Sequence, residues 1–276
     1  MKNILLIFIV LAAYLGQAQT VDQFSYYERI INDSYGDNAK IYSKGKTLRK
    51  FGRNNDLDTD VEEQIWEQGG FEIMATSNSI DTMSSSSGSD TQTVTIEGHY
   101  YDADNNLIFS IQTAILTGQT KVTLATPLSR ATRVYNTGST DLVGNVYVYE
   151  DGAITAGVPD DAATIHLFAT AGNQQSSKAA TSTSSTDYWV IVRVKFTVEK
   201  TQTSTVDFKV QIREANGVWR SQLFASLAGA QGTYQVDLTN TPIIMKPNSD
   251  IRVLGTSSTN NVIGGAEIGG FLAKVL

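Results

Sequence analysis

The chain has 276 residues, a formal charge of −7, 18% charged residues and no cysteine. That length can bury one large core or two smaller ones, and the absence of cysteine excludes disulfides, thiolate nucleophiles and thiolate metal sites. A net acidic surface, polar mainly through Ser, Thr, Asn, Gln and Gly, gives no basis for bulk DNA or RNA binding.

Residues 1–18 form a signal-like apolar segment. Lys2 supplies a positive start, Ile4 to Leu15 is almost wholly apolar, and Gly16-Gln17-Ala18 places small residues where a signal peptidase cuts. About twelve apolar residues are too few for a stable transmembrane span. The segment therefore reads as a cleaved export signal, a lipid-associated anchor or an apolar arm buried against another subunit. Cleavage after Ala18 would remove only Lys2 from the charge count and take the chain from −7 to −8.

Residues 19–82 read as an N-terminal docking segment. It carries a charge reversal: Lys40, Lys44, Lys46, Arg49, Lys50 and Arg53 are followed by Asp56, Asp58, Asp60, Glu62, Glu63 and Glu67. Thr59-Asp60-Val61-Glu62 fits a capping box, which predicts a short helix carrying Ile65 and Trp66 and ended by Gly69-Gly70. So short a helix is unstable alone, so its apolar side chains need an outside surface. Either the segment packs on its own main domain or it docks a neighbouring subunit. In the second case Phe51 and Trp66 form the apolar centre, and some of Arg49, Lys50, Arg53, Asp56, Asp58, Glu62 and Glu63 pair across the boundary.

Met83 to Gln92, MSSSSGSDTQ, is a polar break with no means of making a core. Beyond it, strand patterns recur at Thr93–Gly98, Asn106–Ile115, Lys121–Ala125, Thr132–Tyr135, Asn145–Tyr149 and Thr164–Ala169. After the polar tract Gln174–Asp187 they resume at Tyr188–Val198, Thr205–Ile212, Trp219–Ala225, Tyr234–Leu238, Ile251–Leu254 and Phe271–Leu276. Short strands without intervening amphipathic helices predict an all-β protein of antiparallel, jelly-roll-like β-sandwich units. The expected units are residues 83–173 and 174–276, or one continuous sandwich with a long loop. In the strongest strand Arg193 and Lys195 alternate in phase with Trp189 and Ile191, which assigns Val190, Val192, Val194 and Phe196 to the core. Val206, Phe208, Val210 and Ile212 form a second inward row, and burying both rows contributes roughly 10 to 20 kcal/mol before chain entropy.

The chemistry-bearing patterns are sparse. The two histidines, His99 and His166, have no metal-ligand spacing and read as ordinary strand residues. There is no GxSxG elbow, P-loop or Rossmann fingerprint, so no catalytic residue and no cofactor is expected. Asp102, Asp104 and Asn106 offer alternating oxygens for a structural cation, but a strand resumes at once and no glutamate closes the loop, which favours an Asx-stabilised hairpin turn. Trp219 and Tyr188 are candidates by type for a sugar-stacking platform, although both sit in strand patterns and read as packing residues.

Leu48-Arg49-Lys50-Phe51-Gly52-Arg53-Asn54-Asn55-Asp56-Leu57-Asp58-Thr59, followed by Val61-Glu62-Glu63-Gln64-Ile65-Trp66-Glu67-Gln68-Gly69-Gly70, resembles the N-terminal signature of a largely uncharacterised group of structural proteins from tailed phages of marine and aquatic bacteria. A looser similarity runs over most of residues 40–276. The export-like N-terminus and the missing Pro-Ala-Gly hairpin after Gln174 depart from that pattern. The resemblance implies a non-enzymatic virion protein at the head surface or tail, with copies of itself and other virion proteins as partners. The alternative is a secreted or outer-surface β-sandwich binding protein, with a surface glycan as its ligand.

Overall fold

A computed structural model describes residues 47–199, 204–215, 217–229 and 232–274. The apolar segment 1–18 and the cations Lys40, Lys44 and Lys46 lie outside the described residues. The strands in chain order are β1 (Thr47–Leu57), β2 (Glu63–Gln64), β3 (Ile80–Ser85), β4 (Thr93–Tyr101), β5 (Leu107–Ile115), β6 (Val122–Leu128), β7 (Arg130–Asn136), β8 (Val146–Glu150), β9 (Ile154–Thr155) and β10 (Val158–Pro159). They continue as β11 (Ile165–Ala169), β12 (Ala180–Ser182), β13 (Asp187–Glu199), β14 (Thr205–Arg213), β15 (Arg220–Ala228), β16 (Thr233–Asp237), β17 (Ile243–Met245), β18 (Asp250–Ser257) and β19 (Val262–Lys274). The fold is all-β and its strand ladders are antiparallel. Among the described residues no helix is long and apolar enough to cross a membrane.

Two cores form. In the first, sheet β11-β8-β3-β6 faces sheet β5-β4-β7 across Ile80, Met83, Val94, Ile96, Leu128, Val134, Val146, Val148 and Leu167. In the second, sheet β1-β19-β13-β16, with β17 also on β13, faces sheet β12-β18-β14-β15, with β2 on β18. Phe196 and Phe208 stack across that second core with ring centroids 4.8 Å apart. The described part of the chain thus begins in the second sandwich, leaves to build the first, and returns. Its first described strand closes on its last, with Lys50 opposite Ile268 and Gly52 opposite Ala266.

Three expectations are corrected. Residues 59–70 are not a helix: β2 pairs with β18 and Trp66 bridges to Lys178. A helix would satisfy its own backbone locally, whereas here Ile65 donates to Val253 O and accepts from Ala179 N–H, which makes this stretch part of the second sandwich. Residues 47–82 are likewise no separate lead-in, since β1 and β2 belong to the second sandwich and β3 to the first. Nor is the serine-rich stretch outside a core. Ser84 and Ser85 are fully buried at the end of β3, Ser84 donating to Gly157 O and Ser85 to the buried Asp90, so each hydroxyl enters the interior with its partner.

The inner face of β13 changes along its length. Ile191 pairs with Gly270 and Arg193 with Gly269, so Val192 is an extra residue, a β-bulge. The bulge flips the alternation. Trp189 and Ile191 therefore join Val194, Phe196 and Val198 in the main core, while Val190 packs in a smaller cluster with Ala273, Tyr188 and Phe271. The row Val206, Phe208, Val210 and Ile212 is buried on β14 as its strict alternation requires.

Candidate functional site

β1 runs along the seam between the two sandwiches, and its side chains show what the charge reversal does. Arg49 lies 2.6 Å from Glu267, which Arg193 also reaches at 2.6 Å. Arg53 pairs with Glu199 at 2.9 Å, and Glu62 with Lys209. Glu63 is buried and accepts from Asn54 Nδ2 and Gly70 N–H, both at 2.9 Å, and from Asp58 N–H. Asp56 is exposed, and Asp58 binds the 257–261 turn through its carbonyl and carboxylate. Trp66 is only 2% exposed and donates to Gly70 O. The partners expected from another subunit for Arg49, Arg53 and Glu62 are thus supplied by distant strands of the same chain. Trp66 is a seam residue of its own fold, and Phe51 alone of the expected apolar pair keeps an exposed ring, at 37%.

Buried ions fill the seam behind β1. Arg130 of β7 donates to Asp250 of β18 at 2.8 Å, and Asp250 also accepts from Ser182 and Arg213. Lys178 binds Glu72 at 2.5 Å and the carbonyls of Ala131 and His166. Burial opposes ionisation of Glu72, yet Lys178 and the adjacent His166 hold its pKa down to about 2. His166 is 1% exposed, its ring nitrogens 3.3 Å from Glu72 and 3.2 Å from Glu150. His99 packs its ring against Phe109, and burial lowers its pKa to about 3.

Lys50 points into the same layer, donating to Thr132 O with Glu97 at 4.0 Å. Burial lowers its pKa to about 8, partly offset by Glu97. Between pH 8 and 10.5 the unfolded chain keeps a proton that the folded chain has released, so stability rises with pH there. Wild type is expected to gain about 2 kcal/mol from this group between pH 7.5 and 10, a gain that Lys50→Met lacks. Urea midpoints of both proteins at the two pH values check this; parallel changes would show that Lys50 is not held in the charged, buried state.

Asp102, Asp104 and Asn106 build a turn. Asp102 accepts from the backbone N–H of Asp104 and Asn106 and from the Asn106 side chain, and Asn105 takes the left-handed conformation at φ 60°. Those bonds, mainly the one from Asn106 N–H, lower the Asp102 pKa. No group of metal-binding side chains occurs among the described residues. Trp219 is half-buried, with Arg252 at 4.1 Å and Arg213 at 4.9 Å from its ring centroid; the guanidinium groups already occupy its face. Tyr188 is half-buried against Val190 and Phe271.

Two features were missed in the sequence. The first is a cleft on either side of Phe51. Toward Arg53 lies a cavity of about 570 Å³ walled by Glu67, Asn173, Lys195 and Glu199. Toward Arg49 lies another of about 520 Å³ walled by Lys50, Glu97 and Arg133. Burial raises the pKa of Glu67 despite its bonds from Thr170 and Asn173. The second is an apolar row on β5, the edge strand of its sheet: Phe109, Ile111 and Ile115 are 45%, 60% and 61% exposed. The alternation was visible, but which face of an isolated strand looks outward is decided by the sheet behind it.

No protein-family model and no curated protein matches the chain. Among solved structures it is similar to the infectious bursal disease virus VP2 subviral particle, at TM-score 0.22 and 7% identity over 87% of this chain and 73% of that one. The infectious bursal disease virus Gx strain structure gives TM-score 0.21 and 8% identity over 87% and 80%. The coconut allergen cocosin gives 0.14 and 7% over 83% and 78%.

Proposed function

We propose that the chain is a non-enzymatic structural subunit of a phage particle that acts through contacts with further copies of itself and with other virion proteins. The observation that carries the assembly part is the β5 row. An edge strand presenting Phe109, Ile111 and Ile115 to solvent is an association hazard unless something covers it. The row's remaining outward residue, Thr113, is uncharged, so the row itself presents no charge to a second copy laid on it by a two-fold axis. The phage assignment is supported by the resemblance of Leu48–Gly70 to phage structural proteins.

The test is sedimentation velocity of wild type and Ile111→Lys/Ile115→Lys over a concentration series. Burying each isoleucine contributes about 1.5 to 3 kcal/mol, so the double variant is expected to remain monomeric where wild type associates. A wild type that stays monomeric throughout, or a variant that associates equally well, removes β5 from any self-contact.

A further inference from the structure

We propose that the cleft along β1 is a binding site for a carboxylated oligosaccharide, centred on Phe51. Both cavities are lined by Phe51, so its ring stands between two adjoining pockets, and the site reads as a groove with an aromatic ridge in the middle. Each has the volume of an ordinary small-ligand site. A partly exposed ring flanked by polar walls suits the apolar CH face of a sugar, while Asn173, Gln175 and Thr197 on the first cavity's wall suit its hydroxyls.

The charge of the groove selects the sugar. Glu267 is shared by Arg49 and Arg193, and Glu97 by Lys50 and Arg133. Each carboxylate thus answers two cations. Lys195 is half-buried beside Thr197 and, among the described residues, has no ion-pair partner. A chain of net charge −7 therefore keeps a local positive surplus along one groove, which favours an anion by complementarity. The surplus is small, and Glu67, Glu199, Glu267 and Glu97 stand in the same walls. Closely spaced phosphates would meet those carboxylates, and a single ring is a poor base-stacking platform. Sparse carboxylates on a sugar chain fit both conditions.

This inference is independent of self-assembly through β5. The experiment is calorimetric titration of the full chain with trigalacturonate and with sialyllactose, using maltotriose as the neutral probe and a thymidine hexanucleotide as the phosphate probe. At least one acidic sugar is expected to bind, more weakly at high salt, with little heat from maltotriose or the hexanucleotide. Phe51→Ala is expected to weaken that binding roughly tenfold, and Lys195→Gln to weaken it and flatten the salt dependence, both with unchanged circular dichroism. Silence from both acidic sugars, equal binding of maltotriose, tighter binding of the hexanucleotide, or indifference to Phe51→Ala overturns the proposal.

Discussion

Asp250→Asn is expected to destabilise the protein by about 3 to 5 kcal/mol, the usual cost of removing one partner from a buried ion pair. Asp250 is 3% exposed and receives Arg130 from the first sandwich and Arg213 and Ser182 from the second. An amide there keeps one acceptor oxygen but no charge, which leaves the buried Arg130 guanidinium without a counter-ion, its other acceptors being the neutral Ala75 O, Ser129 O and Tyr101 hydroxyl. Urea unfolding at neutral pH measures the loss. The double variant Arg130→Met/Asp250→Leu is expected to recover part of it, because the buried Arg130 charge then goes with its partner and only the half-buried Arg213 loses one. The pH dependence has a definite sign. Burial works against ionisation of Asp250, but Arg130 and Arg213 hold its pKa below the ordinary carboxylate value. Its stabilisation is therefore complete above the unfolded-state pKa of about 3.9 and is lost as pH falls through the lower folded value. Asp250→Asn should lack that part of the acid transition. Equal neutral-pH stability of wild type and Asp250→Asn would show that the seam is wetter than its geometry implies.

How much of this was legible in the sequence depended on whether alternation told the whole story. In β14 it did: four apolar residues at every second position settle the buried face without help. In β13 the same reasoning placed Trp189 and Ile191 outside, because a bulge leaves no mark in an unbroken run of β-formers; its cause is distant, the register against β19 and the bond from Leu238 N–H to Val192 O. β3 and β12 were hidden for another reason. Their buried Ser and Thr side chains look like loop until Gly157 and Asp250 are brought to them from far along the chain and Asp90 folds back onto Ser85 from the turn that follows β3. The charge-rich β1 concealed a strand because its outward residues dominate its composition, while Gly52, Asn54 and Leu57 do the inward packing. The candidate cleft was beyond reach altogether: Phe51 and Arg53 come from one end of the chain, and Asn173 and Lys195 from well over a hundred residues later.

Within Leu48–Gly70, which carries β1 and β2 of the second sandwich, the most sensitive position is expected to be Gly52. A Cβ built on Gly52 would stand 2.2 Å from both Ala179 N and Ile65 O. These two atoms form a 2.9 Å hydrogen bond that ties the β2 stretch to the start of β12. Both obstacles are backbone, so no rotamer change relieves the overlap; either β1 lifts off the opposing sheet or that bond breaks. Lifting β1 would also expose the fully buried Leu57 and draw Asn54 away from Glu63 and Gln64 O. Gly52→Ala is therefore expected to cost about 4 kcal/mol or more, in the range reserved for overpacking combined with lost buried bonds. Gly88→Ala is the matched control, since nothing stands within 4 Å of a Cβ at Gly88, and it is expected to change stability by less than about 0.5 kcal/mol. Thermal and urea unfolding of the two variants beside wild type decide the matter, with yield of folded protein as the readout if Gly52→Ala does not fold. Should both alanines prove equally harmless, β1 would not be locked onto the sheet opposite it, and the seam that shapes the cleft around Phe51 would have to be held by the buried ions alone.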